Sequence, residues 1–74
     1  MSEETVRLLT AEIRRQLEAR GWSGRELARR AGLTPSVVGD KLAGKRAFDL
    51  GDLAVIAPVL GFRDWELLRK AQGE

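Results

Sequence analysis

Apolar residues in the first third of the chain recur with the period of an α-helix. Four of them lie on one stripe at spacings of three, four and four residues: Val6, Leu9, Ile13 and Leu17. Gly21 follows this stripe and suits the left-handed position at which helices commonly end. The pattern predicts an amphipathic helix from about Glu3 to Arg20.

A second, shorter helix is predicted from the residues at its two ends. Ser23 and Glu26 have the spacing of a capping box, in which each side chain binds the other residue's backbone N–H. Trp22 and Leu27 occupy the two positions of a hydrophobic staple, an apolar contact that fixes how the chain enters a helix. Gly32 should end this helix, because it comes nine residues after Ser23 and tolerates a positive φ.

A third helix should follow with almost no linker. Thr34 places a hydroxyl at the N-cap, and Pro35 occupies the first helical position, where its missing N–H costs nothing. We expect this helix to run through Leu42 or Ala43 and to stop at Gly44.

The last third of the chain starts with the same capping pattern. Asp49 and Asp52 predict a fourth helix that begins near Leu50 and closes at Gly61. Pro58 lies within its last turn, so a backbone hydrogen bond is lost there and the turn should be kinked or shortened.

A fifth helix is predicted from Asp64 onward, and together these elements define the fold class. The apolar residues at helical spacing in this segment are Trp65, Leu68 and Ala71. With 74 residues the chain is expected to form one domain, 1–74. The predicted fold is therefore all-α, a compact bundle of four to five helices with a helix-turn-helix formed by the second and third.

Composition narrows the function. Because the chain has neither cysteine nor histidine, it lacks disulfides, thiolate metal sites and the commonest general base. Asp49 and Asp52 might form a metal pair, but helix capping explains both without a ligand. We therefore expect no catalytic residues, no metal, no cofactor and no small-molecule substrate; the protein is not expected to be an enzyme.

Charge is distributed unevenly along the chain. Residues 21–46 contain six basic and two acidic side chains, a net charge of +4, whereas residues 47–74 carry −2. No apolar run is long enough to span a bilayer, so we expect no membrane association. We expect a cytoplasmic protein encoded by a bacterium or a phage. The chain begins with Met1 and has no trailing linker, which favours a complete chain.

The second and third predicted helices, joined by a turn at Gly32, have the layout of a helix-turn-helix. Ala28 falls where the two helices should cross closely and a small side chain is needed. The apolar residues expected to hold the pair against the first and fourth helices are Leu27, Leu33, Val38 and Leu42.

Three segments carry a resemblance to a known family: Ser23 to Ala28, Ala31 to Val38, and Leu42 to Arg46. They resemble the lambda-repressor-like, Cro-type helix-turn-helix family, and the similarity covers roughly residues 9 to 68. The resemblance implies a DNA-binding transcriptional regulator, of the phage or mobile-element repressor type, whose third helix lies in the major groove of double-stranded DNA. It implies that base edges face Pro35, Ser36, Gly39 and Asp40. It also implies DNA-backbone contacts from Ser23, Gly24, Arg25, Ala43, Gly44, Lys45 and Arg46.

The positions of these residues partly support the implied roles. If Val38 and Leu42 are buried, the opposite side of the third helix carries Ser36, Gly39 and Asp40, with Val37 and Lys41 at the flanks. Three basic residues near the far end of that helix can meet phosphates: Lys41, Lys45 and Arg46.

The base-facing chemistry departs from the family pattern, in which Gln, Arg or Asn commonly read bases. Ser36 makes only weak polar contacts, Asp40 can accept from a cytosine amino group, and Val37 can touch a thymine methyl. Either shape and backbone contacts dominate the recognition, or specificity comes from elsewhere.

Two functions of different class follow. The first is a sequence-specific DNA regulator that binds as a homodimer to a palindromic or directly repeated site; the second is a helix-turn-helix used as a protein-interaction module for another regulator or a toxin. The candidate dimer contacts are Phe62, Trp65, Leu68 and Ala71. Arg29 and Arg30 end the second helix, where they either interact favourably with the helix dipole or bind DNA.

Overall fold

The computed structural model describes residues 1–73 as five α-helices joined by short turns, with no strand in that range. The helices are α1 (Glu3–Arg20), α2 (Gly24–Ala31), α3 (Pro35–Leu42), α4 (Leu50–Val59) and α5 (Asp64–Ala71). The predicted all-α bundle containing a helix-turn-helix is confirmed. No helix within residues 1–73 combines the length and the apolar character needed to cross a membrane.

Helix α1 begins and ends as the sequence indicates. The Ser2 hydroxyl accepts a hydrogen bond from the Thr5 backbone N–H at 3.1 Å, which satisfies one of the unpaired donors of the first turn. Gly21 adopts a left-handed φ of 66° at the other end. Arg20, in the last turn, donates to the Leu60 carbonyl at 2.7 Å and so ties α1 to the end of α4.

The capping box predicted for α2 is only half formed. The Ser23 hydroxyl accepts from the Glu26 backbone N–H at 3.1 Å, as expected. The Glu26 carboxylate, however, binds the guanidinium groups of Arg29 and Arg30 one turn further along the helix rather than the Ser23 N–H. Ion pairing within the helix therefore replaces the reciprocal half of the box.

Helix α4 has the complete capping box. The Asp49 carboxylate accepts from the Asp52 N–H at 2.8 Å, and the Asp52 carboxylate accepts from the Asp49 N–H at 2.9 Å. The hydrogen bond from Asp52 lowers the pKa of the Asp49 carboxyl. The helix ends at Val59, one residue after Pro58, in agreement with the shortened last turn that the proline predicts.

The core lies between α1, the helix pair α2 and α3, and the helix pair α4 and α5. Its members are apolar side chains almost fully removed from solvent: Leu9, Ile13, Leu17, Leu27, Ala28, Val38, Phe48, Leu53, Ile56, Ala57, Leu60, Leu67 and Ala71. Leu9, Ile13 and Leu17 of the predicted α1 stripe lie in this core, whereas Val6 is half-buried outside it. Half-buried Trp22 and Phe62 pack against the core.

Helix α5 uses a different face from the one predicted. Leu67 and Ala71 are buried, whereas Leu68 is half-buried and Trp65 is 52% exposed. Leu67 and Ala71 are four residues apart and so share one side of the helix, which packs on α1. The proposed dimer contact of Ala71 is wrong, because its side chain belongs to the core.

Glu12 is a charged residue in the interior that apolar periodicity does not reveal. Its side chain is fully buried beside the core residue Ile13, and it accepts hydrogen bonds from Arg15 and, at 2.7 Å, from Gln16. Burial by itself raises the pKa of the Glu12 carboxyl, but these hydrogen bonds and the charges of Arg15 and Lys70 outweigh burial and lower it. Glu12 is therefore held ionised inside the fold.

Candidate nucleic-acid interface

The turn between α2 and α3 is built on Gly32, whose φ is 70°. Its N–H donates to the Ala28 carbonyl, and the Leu33 N–H reaches the same carbonyl at 2.8 Å. Thr34 is the N-cap of α3, as predicted, but its hydroxyl makes no capping hydrogen bond. The fixed φ of Pro35 at the first helical position is thus the main local start signal for α3.

Helices α2 and α3 approach each other closely at Gly24. A Cβ atom at this position would lie 2.8 Å from Leu42 Cδ1 and 3.9 Å from Val38 Cγ1. The predicted close crossing at Ala28 agrees with its complete burial, and the structure adds Gly24 to it. Gly24 therefore has a packing role that the sequence did not reveal.

This approach brings two predicted DNA-backbone segments to one end of the helix pair. Because Gly24 starts α2 and Leu42 ends α3, the start of α2 lies close to the end of α3. Ser23 and Arg25 are exposed, and so is the whole segment Ala43, Gly44, Lys45 and Arg46. The two segments, distant in sequence, are therefore both open to solvent on either side of the contact between Gly24 and Leu42.

Lys41 does not belong to that surface. Its side chain is buried, and its Nζ lies 2.5 Å from Asp52 Oδ2. The same Asp52 oxygen accepts the Asp49 N–H, so α3 is linked directly to the capping box of α4. The prediction that Lys41 contacts the DNA backbone is wrong, because its ammonium group faces α4 rather than solvent.

The residues predicted to face bases lie on the solvent side of α3. Pro35, Ser36 and Gly39 are exposed, while Val37 and Asp40 are half-exposed at its edges. A Cβ atom added at Gly39 would meet no other atom within 4 Å, so the backbone is open to an approaching ligand there. The exposed side of α3 is therefore smooth and carries small side chains.

The loop after α3 is held by backbone contacts that leave its side chains free. The Gly44 N–H donates to the Lys41 carbonyl at 3.1 Å, and the Lys45 N–H donates to the Asp40 carbonyl at 2.9 Å. Gly44 has a φ of 81°, which a side chain would disfavour. Within residues 1–73, Lys45 and Arg46 form no ion pair and project into solvent.

Arg14 of α1 is a contributor that the sequence did not indicate. Its guanidinium donates to the Leu42 carbonyl at the end of α3. Arg14 also lines one groove with Lys45 and Arg46, about 600 Å³ in volume, between α1 and the loop. The Arg14–Leu42 contact joins residues 28 positions apart and leaves no local signal in the sequence. Only the fold could show that four basic side chains, with Arg7 as the fourth, line one groove.

Arg29 and Arg30, whose role the sequence left open, are engaged within the protein. Both pair with Glu26, at 2.5 Å and 2.6 Å, and the hydrogen bond from Arg29 is the largest of the effects that lower the pKa of the Glu26 carboxyl. The Arg30 guanidinium also lies 4.1 Å from the centre of the Trp22 ring, a cation–π contact. Both guanidinium groups therefore make contacts within α2 or at its entry, while both side chains stay exposed to solvent.

The chemistry of this surface suits a polyanion. Arg25, Lys45 and Arg46 supply exposed cations, and the first backbone N–H groups of α2 lack partners within the helix. Such groups bind phosphates by charge and hydrogen bonding. Among residues 1–73 no cluster of three or more carboxylates could hold a metal ion.

Comparison with known proteins agrees with this geometry. A family described as "Helix-turn-helix domain" matches residues 8–71, which include α2 to α5 and most of α1. No curated protein and no solved structure matches the chain. The match does not specify a subfamily, so the Cro-type resemblance stays a prediction.

Proposed function

Since the chain belongs to the helix-turn-helix domain family, we propose that it is a sequence-specific regulator of transcription that binds double-stranded DNA. Residues 1–74 act as one DNA-binding domain, with α3 in the major groove. The protein works in the bacterial cytoplasm as a repressor of the phage or mobile-element type, without a cofactor or an enzymatic activity of its own.

One observation carries this proposal: Gly24, at the start of α2, lies close to Leu42, at the end of α3, so the two segments that we propose to bind phosphates adjoin one contact beside the exposed side of α3. Arg25 comes from the first segment, and Lys45 and Arg46 come from the second. Phosphate contacts of this kind set the register of a recognition helix on the duplex.

The exposed side of α3 favours recognition at short range. Gly39 has no side chain, and Pro35 and Ser36 are small, so the helix backbone can come close to base edges. Ser36, Val37 and Asp40 provide limited direct contacts, to polar edges, a thymine methyl and a cytosine amino group respectively. Part of the specificity then comes from the shape of the groove.

We further propose that the protein binds DNA as a homodimer. An α3 of eight residues reaches a few base pairs only, and two copies double both the site length and the number of phosphate contacts. The operator is then a palindrome or a direct repeat with half-sites about one helical turn apart.

A second candidate function is a protein-interaction module. The observation in its favour is the lack of Arg, Gln or Asn among the exposed residues of α3, which weakens direct base readout. The partner is then another regulator or a toxin, bound through the helical scaffold.

Selection from a random duplex library tests the two candidates. The purified protein is incubated with the library at about 50 and about 200 mM salt, and enriched sequences are read. Enrichment of a two-part site with steep salt dependence supports the dimeric regulator. Salt-sensitive binding without enrichment leaves a DNA-binding protein without sequence specificity, and absence of binding at both salt concentrations favours the protein module.

A further inference from the structure

A groove runs along α1, between this helix and the loop that follows α3. It is about 600 Å³ in volume, and clefts of about 300 to 1,000 Å³ are the usual size of small-molecule sites. Its lining on α1 extends from Glu3 to Arg14, about 16 Å along the helix axis. We call it the basic groove, because four cationic side chains line it: Arg7, Arg14, Lys45 and Arg46.

The basic groove carries an excess of positive charge. Among the lining residues within residues 1–73, Glu3 is the only acidic one. Arg7 is paired with Glu4 on the surface of α1, whereas Lys45 and Arg46 are exposed and form no ion pair in the described part of the chain. An anion that entered the groove would therefore meet two cations with no competing carboxylate.

An apolar hollow adjoins the basic groove. It measures about 490 Å³ and shares Met1, Val6 and Ala47 with the groove. Phe48 and Leu50 add to its apolar lining. Met1 is 50% exposed and Leu50 is 65% exposed, although both side chains are large and apolar. Exposed apolar side chains gathered at one cleft favour an apolar ligand.

The two halves of this cleft differ in charge, and the difference selects the chemistry of a ligand. A run of phosphates suits the cations of the groove but not the hollow, where Asp49 is the only charged lining residue within residues 1–73. An uncharged apolar molecule suits the hollow but leaves the cations unmatched. A molecule with an anionic group at one end and an apolar chain at the other satisfies both halves.

We propose that the basic groove and the apolar hollow form one binding site for a small organic anion with an alkyl chain. Its carboxylate binds Lys45 and Arg46, and its chain lies over Val6 and Ala47 toward Leu50. The ligand is an effector that is bound and released unchanged, and so is neither a substrate nor a cofactor.

Binding of this effector should release DNA. This consequence rests on the proposed function, because Lys45 and Arg46 are the loop cations that we propose to bind phosphates. A carboxylate held by the same two side chains excludes a phosphate from them, so effector and duplex compete. At about ten times its own Kd, the effector should raise the apparent Kd for the duplex by about tenfold.

Calorimetric titration of the full chain with octanoate tests the site without DNA. We expect saturable binding with a Kd of about 0.1 to 1 mM, as befits a ligand of this size. Acetate supplies the anionic group alone and octanol the chain alone, so both should bind much more weakly. Hexanoate should bind at least about fourfold more weakly than octanoate, because each buried methylene raises affinity by about that factor.

A charge-matched pair of double variants locates the anionic group. Lys45→Gln with Arg46→Gln should weaken octanoate binding by about fivefold or more, since two exposed ion pairs are lost. Arg69→Gln with Lys70→Gln removes the same charge from the exposed side of α5 and should leave the affinity unchanged.

A second substitution tests the apolar part of the site. Ala47 lines both the groove and the hollow, so Ala47→Glu places a carboxylate in the path of the chain and repels the anionic group. Ala19→Glu is the matched control, because Ala19 is an exposed alanine of α1 outside both cavities. Octanoate affinity should fall in the first variant and stay at the wild-type value in the second.

Three results would overturn the site: no saturable binding of octanoate, acetate binding as tightly as octanoate, or equal affinity in each variant and its control. Because no DNA is present, all three leave the DNA-binding proposal standing. Octanoate binding by a protein that binds no duplex would instead keep the site and remove the regulator function. Fluorescence anisotropy on the selected operator tests the competition, and an affinity for DNA that saturating octanoate leaves unchanged would refute the effector role.

Discussion

Lys41 Nζ lies 2.5 Å from Asp52 Oδ2, and both side chains are buried between α3 and α4. The same carboxylate closes the capping box of α4 by accepting the Asp49 N–H. A buried charge is costly unless it is paired and hydrogen bonded, and here each charge satisfies the other. The pair thereby fixes the orientation of α3, the proposed recognition helix, on the body of the protein.

Loss of the Lys41 ammonium should strongly destabilise the fold. Lys41→Met leaves the Asp52 carboxylate buried with only the Asp49 N–H, and we expect the free energy of unfolding to fall by about 3 kcal/mol. Lys41→Met with Asp52→Asn should recover part of this loss, because the uncompensated charge is gone while an acceptor for the Asp49 N–H remains. Urea unfolding measures both, and Lys45→Met, at an exposed site, is the matched control with a change below about 0.5 kcal/mol. Equal stability of the two single variants would contradict the role assigned to the pair.

Removal of the two loop cations should change the salt dependence of DNA binding. Lys45→Ala with Arg46→Ala should weaken binding and reduce the slope of log K against log salt by about two units, one for each lost phosphate contact. Arg69→Ala with Lys70→Ala removes the same charge from the exposed side of α5 and should leave the slope nearly unchanged. Fluorescence anisotropy over a salt series gives both slopes. Identical slopes for the two double variants would exclude the loop from the interface.

Substitution by alanine should have opposite effects on stability at Gly24 and at Gly39. Gly24→Ala brings a Cβ atom against Leu42 Cδ1, the end of a half-buried side chain, and its displacement should cost about 1 kcal/mol. Gly39→Ala meets open space within a helix and should stabilise the fold by about 0.8 kcal/mol. Thermal unfolding measures the two shifts. Addition of Leu42→Ala should reduce the penalty of Gly24→Ala, and a penalty that did not change would argue against the contact.

Gly39→Ala also reports on the interface. If the α3 backbone comes close to base edges at Gly39, this stabilising substitution should weaken DNA binding by placing a methyl group between helix and groove. A binding titration on the selected operator provides the measurement. Unchanged affinity in the stabilised variant would move the closest approach to another part of α3.

The buried Glu12 should contribute to acid sensitivity. The folded state lowers its pKa, so its contribution to stability is fully present above the ordinary glutamate pKa of about 4.3 and is lost as the pH falls through the lower, folded-state value. Urea unfolding of the wild type and Glu12→Gln at neutral pH and near pH 3 measures the effect. The advantage of the wild type should shrink at the lower pH. An advantage that stayed constant would show that ionisation of Glu12 does not stabilise the fold.

The parts of the structure that the sequence predicts are those set by local chemistry. Gly21 and Gly32 end α1 and α2 as expected, and Asp49 caps α4. A capping residue or a left-handed glycine acts within a few positions of itself, so its effect is visible in a short stretch of sequence.

The features that were missed depend on contacts between distant residues. Lys41 was predicted to be a surface cation because its partner Asp52 is eleven residues away on another helix. No residue close to Lys41 in sequence indicates this ion pair. The packing role of Gly24 and the hydrogen bond of Arg14 both depend on Leu42, which is distant from each of them in sequence. On α5 several apolar residues could have faced the core, and the packing of α5 against α1 buries Leu67.

The pairing of α1 with α5 has a consequence for when the protein becomes active. Leu9 and Ile13 of α1 share one core with Leu67 and Ala71 of α5, so the packing of α1 is completed only by a helix that is synthesised later. Ribosomes add about 5 to 20 residues each second, and domains fold as units. A nascent chain already holding α2 and α3 therefore lacks the support that makes them rigid, and we expect binding competence to begin only once α5 has emerged.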